Sequence, residues 1–203
     1  MKIYEFKAFP HPRRVRMFLA EKNIDVAFEQ INVPAGEHRT EAYLAKNPSA
    51  AVPLLELDNG NFISETVAIC RYFEALQPEP ALMGTTPEEQ ATIEMWQRKM
   101  DNSLMITVSH YFHHATEGLG ELEIYQNHNW GEQNKAWANK GLEQLNQQLQ
   151  TNSFVAGNSF SIADITALCA VDFALYLNLF SLSAFPAIDR WYQAVNQRPS
   201  ASA

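Results

Sequence analysis

The sequence predicts an α/β unit joined to an all-helical one, α/β plus all-α, and three observations carry this. Strand-like and helix-like patterns alternate as far as residue 77. The run Gln77-Pro78-Glu79-Pro80 then breaks all regular structure, and no strand pattern follows it. Beyond it lie two helix-start signatures, Thr86-Pro87-Glu88-Glu89 and Ser161-Ile162-Ala163-Asp164. The expected domains are residues 1–77 and 87–203, with 78–86 as linker.

Within the first domain, Ile3 to Phe6 reads as a strand, and Arg13 to Lys22 as a helix with Val15, Met17, Phe18 and Leu19 on its apolar side. Asn23 suits a left-handed stop. Phe28 to Val33 reads as a second strand, and a short helix over Thr40 to Lys46 ends before Asn47-Pro48, since proline pushes its predecessor out of the α region. Val52 to Leu57, a turn at Asp58-Asn59-Gly60-Asn61, and Phe62-Ile63 form an antiparallel hairpin. Ser64 or Glu65 opens a helix reaching Leu76, with Ile69, Tyr72, Phe73 and Leu76 at core spacing. The order is βαβ, then ββα.

In the second domain, Thr86 caps a long helix reaching about His114, with Pro87 at its first position and Glu89 returning to the cap. Gln133 to Gln150 forms the next helix, with Trp137, Leu142, Leu145 and Leu149 inward. The helix that Ser161 and Asp164 cap is apolar nearly all round and reads as the central post, with Phe160 and Ile165 placed to staple its start. A last helix spans Pro186 to Gln197, and Met95, Trp96 and Met100 are assigned to the core.

Composition excludes several classes. With 46% hydrophobic and 19% charged residues, disorder, collagen and coiled coil are out. The longest apolar stretch, Ala167 to Phe180, is interrupted by Asp172, Tyr176 and Asn178 and falls short of the roughly 20 residues a membrane span needs. Of the formal charge of −8, most lies after residue 80, where 12 acidic residues face 6 basic ones, which disfavours nucleic acid. The one basic cluster, Arg13, Arg14 and Arg16, suits either a small anion or a solvated helix face. Two cysteines, Cys70 and Cys169, are too few for a disulfide framework and read as packed small hydrophobes. No secretory or transit pattern is visible near Met1, so a cytoplasmic setting is expected.

Taken in order, the motifs resemble a known family. They are Pro12 through Lys22, Asn47-Pro48 through Val52-Pro53-Leu54-Leu55, Ser64-Glu65-Thr66 with Ala68-Ile69, and Ala156-Gly157 through Ser161-Ile162-Ala163-Asp164. Their order and spacing are similar to those of the cytosolic glutathione S-transferases, over nearly the whole chain. The resemblance implies a thioredoxin-like N-terminal domain, a homodimer, glutathione as co-substrate with no further cofactor, and conjugation of its thiolate to small electrophilic hydrophobic compounds. It further implies that Val52, before a cis Pro53, pairs with the cysteinyl part of glutathione. Glu65 and Thr66 would take the γ-glutamyl end, His38 and Arg13 the glycyl carboxylate, and Asp101 would reach the γ-glutamyl amine of the neighbouring subunit's ligand. Each position also has a plainer reading: a trans proline at a strand start, an ordinary helix cap, a solvated acid.

The chain departs from the pattern at the decisive place. Phe9-Pro10-His11-Pro12 stands where thioredoxin relatives carry Cys-Pro-x-Cys, so both redox sulfurs are absent, and no Tyr, Ser or Cys follows the first strand to bind the thiolate. Tyr4 lies within the strand itself. A thiol of pKa about 8.5 is only a few per cent ionised at pH 7, so some donor must take the missing role. The candidates are Ser109, His110, His113, His114 and Thr116. Similarity to a fungal and bacterial subclass, strongest in Phe112-His113-His114-Ala115-Thr116 and Leu122 to Gly131, implies a water held by a hydroxyl and by His113 or His114. His11 is a second-choice donor, and Phe9, Phe112 and His113 are expected to line the hydrophobic-substrate site. His110, His113 and His114 at i, i+3 and i+4 could gather a metal, but no nearby cysteine or paired carboxylate completes a site, so none is expected. The other readings are a glutathione-transferase fold kept as a binding or carrier module, and glutathione-dependent peroxidase or reductase activity at the same site.

Overall fold

The computed structural model describes residues 1–119 and 123–203. The chain divides into two compact units, Met1–Pro80 with Ser202–Ala203, and Ala81–Ala201.

In the first unit, β1 (Lys2–Glu5), α1 (Pro10–Glu21) and β2 (Ala27–Gln30) form the βαβ half, with β1 and β2 parallel. A 3-10 turn at Glu37–Arg39 and the one-turn α2 (Glu41–Leu44) lead to β3 (Leu54–Glu56), β4 (Phe62–Ser64) and α3 (Thr66–Leu76). The sheet order is β2-β1-β3-β4, and β3 runs antiparallel to both neighbours. Asn23 does end α1 in the left-handed region, at φ 53°. The strands are shorter than the apolar runs suggested: β2 stops at Gln30, and β3 begins only at Leu54, after the proline.

The alternation of side chains sorts this sheet into two faces. Tyr4 and Leu54 are register partners and cluster with Ile31 and Tyr43 on one face. Ile3 and Leu55 point to the other, where α1 packs on α3 and Val15, Phe18, Ile69 and Phe73 are buried. Lys22 closes this unit. Its buried ammonium donates to the carbonyls of Gln77 (2.7 Å) and Pro80 (2.8 Å) and lies 2.6 Å from the Glu74 carboxylate, fixing the chain as it leaves α3.

Among the described residues, the second unit's regular elements are all helical, with one isolated β-bridge between Phe154 and Gly157. α4 (Pro87–Met100), a π-helical turn (Asp101–Met105) and α5 (Ile106–Ala115) form one continuous rod, so the predicted long helix exists but carries a bulge that its periodicity did not announce. α6 (His128–Thr151) begins five residues before the predicted start, capped by Asn127, whose side chain accepts from the Trp130 amide. Leu142, Leu145 and Leu149 are buried as expected, but Trp137 is not inward: it is 38% exposed and stacks edge-on with Trp130, ring centres 5.2 Å apart. Met95 is likewise exposed, whereas Met100 is fully buried. A Cβ at Gly131 would sit 2.6 Å from that of Ala115, and one at Gly141 2.5 Å from the Ser103 carbonyl. Only glycine allows α6 to lie this close to α5 and the π turn.

α7 (Ile162–Tyr176) is the buried post, with almost every residue from Ile162 to Val171 fully shielded. α8 (Pro186–Asn196) packs against it through Trp191, whose indole N–H donates to Asp164 at 2.9 Å.

Candidate functional site

The first unit builds its part of the site from the backbone. Two donors, the Asn47 amide (2.8 Å) and the Tyr43 hydroxyl (2.7 Å), converge on the Ala51 carbonyl. Burial pushes the Tyr43 hydroxyl up to about 12, so it stays a donor at any physiological pH. The Val52–Pro53 bond is cis, as the resemblance implied. The β3–β4 ladder ends with Leu54 opposite Ser64, so continuing the register would set residue 66 opposite Val52. The chain instead leaves the sheet at Glu65 (φ 69°, ψ 119°) and turns into α3. The main chain of Val52 is thereby left along a strand edge beside the first turn of a helix.

That first turn is open. Glu65 occupies the cap position of α3 with its side chain exposed and makes no capping hydrogen bond. Thr66 behind it is buried, and its hydroxyl accepts from Nη1 of Arg14 at 2.7 Å. α1 also begins without a side-chain cap, at Phe9, whose ring meets that of Phe6 edge-on at 4.8 Å. His11 and Arg13 lie half-buried in the first turn that follows.

The three arginines of α1 do not act as one cluster. Arg14 is buried on the apolar side, and Arg16 pairs with Glu5 at 2.5 Å while donating to the Lys7 carbonyl. His38 sits in the 3-10 turn, buried, with its Nδ1 atom shielded and lacking a hydrogen-bond partner. Burial, assisted by the charge of Arg39, lowers its pKa, so at neutral pH it is an uncharged hydrogen-bonding group rather than the cation that the sequence reading assigned to a carboxylate. Tyr4 is engaged within the sheet, donating to Glu56 at 2.5 Å and accepting from Lys46 at 2.7 Å.

The second unit carries the histidines on the last turns of α5. Their Nδ1 atoms have three different partners. That of His110 lies 3.3 Å from the side-chain oxygen of Asn134, a buried residue of α6 whose amide donates to the Trp130 carbonyl. That of His114 accepts from the Asn127 backbone N–H at 3.2 Å. That of His113 lies 2.5 Å from the Glu123 carboxylate. His110 and His114 are thus tied to α6 and its approach, while Ser109 lies one turn before His113 on the same strip of α5. Phe112 stacks on His113 and on Phe173 of α7, at 5.3 and 5.4 Å between ring centres. Asp101 opens the π turn, half-buried. Leu122, at the head of the segment with the subclass likeness, lies outside the described residues.

Among the described residues, no group of three or more His, Cys, Asp or Glu side chains is placed to hold a metal ion. A cavity of about 540 Å³ lies elsewhere in this unit, between the start of α4 and residues 156–160, lined by Thr86, Glu89, Ile93, Asn158 and Phe160. None of the expected site residues borders it. Asn158 and Phe160 belong to the approach to α7, so we read this hollow as a by-product of two helix starts meeting.

Two residues escaped the sequence reading. Arg14 had a signal, since it falls on the apolar stripe of α1 with Val15 and Phe18, where a charge implies a buried partner. Glu123 had none: it is one of three glutamates between α5 and α6, ten residues from the histidine it meets.

A family model for the glutathione S-transferase N-terminal domain matches residues 10–76, and one for the C-terminal domain matches residues 100–199. Glutathione S-transferase 2 of Saccharomyces cerevisiae is 44% identical over 203 residues, covering 98% of this chain and 87% of that protein. The chain belongs to the cytosolic glutathione S-transferase family. The crystal structure of Gtt2 from Saccharomyces cerevisiae superposes on this glutathione S-transferase with a TM-score of 0.96 at 44% identity, over 100% of this chain and 99% of the other. A glutathione S-transferase domain-containing protein from Marinobacter aquaeolei gives 0.95 at 42% identity, over 98% and 99%. The thioredoxin-like unit with its four-stranded sheet and the helical unit are those of this transferase family. No helix among the described residues is long and apolar enough to cross a membrane.

Proposed function

We propose that this glutathione transferase activates the glutathione thiol without a hydroxyl or thiol from its first strand and loop, and adds the thiolate to small hydrophobic electrophiles. Val52 pairs main chain to main chain with the cysteinyl residue. Glu65 accepts from the α-ammonium, while the open amides at Thr66 attract the γ-glutamyl carboxylate. His38, uncharged, and Arg13, charged, serve the glycyl carboxylate. Glutathione enters as co-substrate, and no further cofactor takes part.

Ser109 and His113, one helical turn apart, hold the water that donates to sulfur. His114, with its Nδ1 already engaged, and His11 take lesser roles. Phe9 and Phe112 line the space for the electrophile. The sulfur–carbon bond forms as the electrophile adds, or as a leaving group departs with its electron pair. Lowering the thiol pKa by two units needs about 2.7 kcal/mol of differential stabilisation, within reach of one preorganised donor site. The working form is a cytoplasmic homodimer in which Asp101 reaches the γ-glutamyl amine of the neighbouring subunit's ligand, and the biological role is detoxification.

The observation that carries this reading is the uncapped, left-handed Glu65 beside the edge at Val52, an arrangement that presents amides, a carboxylate and a strand edge to one peptide-like ligand. Titration calorimetry with glutathione, then turnover of an aryl halide and an organic hydroperoxide, tests it. Binding with conjugation supports the reading. Binding without turnover of either compound leaves only a carrier, and hydroperoxide turnover alone makes the protein a peroxidase.

A further inference from the structure

The three histidines of α5 differ in chemistry because their partners fix their protons. His114 accepts a backbone N–H at Nδ1, so its proton sits on Nε2 and it can only donate there. His110 faces the Asn134 oxygen, since that residue's NH₂ is spent on the Trp130 carbonyl, so His110 holds its proton on Nδ1, against a neutral group. His113 also holds a proton on Nδ1, but against a carboxylate. It alone of the three combines an accepting Nε2 with a negative charge behind the ring.

We propose that Glu123 is the positioning residue for thiol activation: by accepting from Nδ1 of His113 it orients the ring so that Nε2 is the proton acceptor. This rests on the reading that His113 serves the bound thiol. The proton leaves sulfur for a solvent water as that water passes one of its own to Nε2, leaving a thiolate and an imidazolium that faces Glu123. After sulfur attacks, the imidazolium returns its proton to solvent or to the departing group.

The pair is not there to hold the loop. The Gln126 amide donates to the carbonyls of His113 (2.9 Å) and Thr116 (3.2 Å), the Asn127 N–H to His114, and the Glu123 N–H to the Leu119 carbonyl (2.9 Å). Three of these bonds therefore fasten this segment to the end of α5 without the Glu123 carboxylate. A half-exposed ion pair also contributes little to folding.

The test measures kcat and the KM for glutathione with an aryl halide in the wild type, Glu123→Gln, Glu123→Ala, His113→Ala and the Glu123→Ala/His113→Ala double variant. Nitrogen NMR of the His113 ring is recorded alongside. Glu123→Ala is expected to lower kcat about 10- to 100-fold with the KM for glutathione within about twofold, and to add nothing once His113 is gone. Glu123→Gln, which keeps an acceptor oxygen but loses the charge, falls between. The wild-type ring is expected to hold its neutral-form proton on Nδ1 and the Glu123→Ala ring on Nε2. An unchanged kcat in Glu123→Ala, an equal loss in both backgrounds, or identical ring spectra would overturn the proposal. If the wild type shows no turnover, the transferase reading falls and the ring spectra alone decide for or against the positioning by Glu123.

Discussion

Two helix starts in this molecule have nearly the same composition and opposite uses. α3 begins at Ser64-Glu65-Thr66 and α7 at Ser161 with Asp164, each a hydroxyl residue beside an acid. At α7 the start is sealed. Ser161 accepts from the Ala163 amide, and Asp164 collects the N–H groups of Ser161, Val155 and Trp191 at 2.9 to 3.0 Å, all buried. At α3 the cap residue's side chain is exposed and makes no capping hydrogen bond, and its backbone is left-handed. The first turn of any helix leaves amides without intrahelical partners. At α7 the protein satisfies them with its own side chains, and at α3 it supplies no side-chain cap, as the proposed glutathione site requires.

The largest effect expected from this contrast is at the sealed end. Asp164→Ala strands buried donors from three residues and should cost about 3–5 kcal/mol, read as a lower denaturant midpoint. The same carboxyl makes stability depend on pH. Burial pushes it from 3.8 up to about 6 despite its donors. Because the folded chain then binds the proton more tightly than the unfolded one, its contribution is greatest below pH about 4. It declines by about 3 kcal/mol as pH rises through 6. Denaturation of the wild type and Asp164→Asn at pH 4.5 and 7.5 should show the wild type's advantage shrinking towards high pH. A constant gap would contradict the assignment.

At the open end, Glu65→Gln should raise the KM for glutathione about tenfold, equivalent to about 1.4 kcal/mol, with melting hardly changed. A large loss of stability there would erase the contrast, because Glu65 would then be a cap like the others. Smallest of all, Thr86→Ala should cost about 1 kcal/mol. Its box is sealed but exposed: donors from Thr85 and Thr86 hold Glu89 down to about 2. This second box therefore loses its contribution as pH falls below the ordinary carboxylate range, the opposite direction to Asp164.

The contrast also marks what was legible. The element order, both capping boxes, the left-handed Asn23 and the buried post were readable because periodicity and cap residues act locally. Val52, Glu65 and Thr66 could be proposed because the motifs that carry the family resemblance, a proline, a strand end and a helix start, lie close together in sequence, and the cis Val52–Pro53 bond agrees with that resemblance. The π turn was not legible, since a single inserted residue barely disturbs a 3.6-residue period. Nor was the sorting of His110, His113 and His114, because each role is set by a partner elsewhere in the chain: Asn134, Glu123 or the Asn127 amide. Trp137 and Met95 show the same limit from the other side, since apolar character alone did not place them inward.

The central claim is that glutathione is held as a thiolate without a hydroxyl or thiol side chain from the first strand and the loop that follows it. Ultraviolet absorbance of the bound thiolate, titrated from pH 5 to 9 with saturating glutathione, measures it directly. The account predicts ionisation about two units below the free thiol's value of about 8.5 in the wild type, and a return towards it in His113→Ala. Bound glutathione ionising at the free value in the wild type would contradict it.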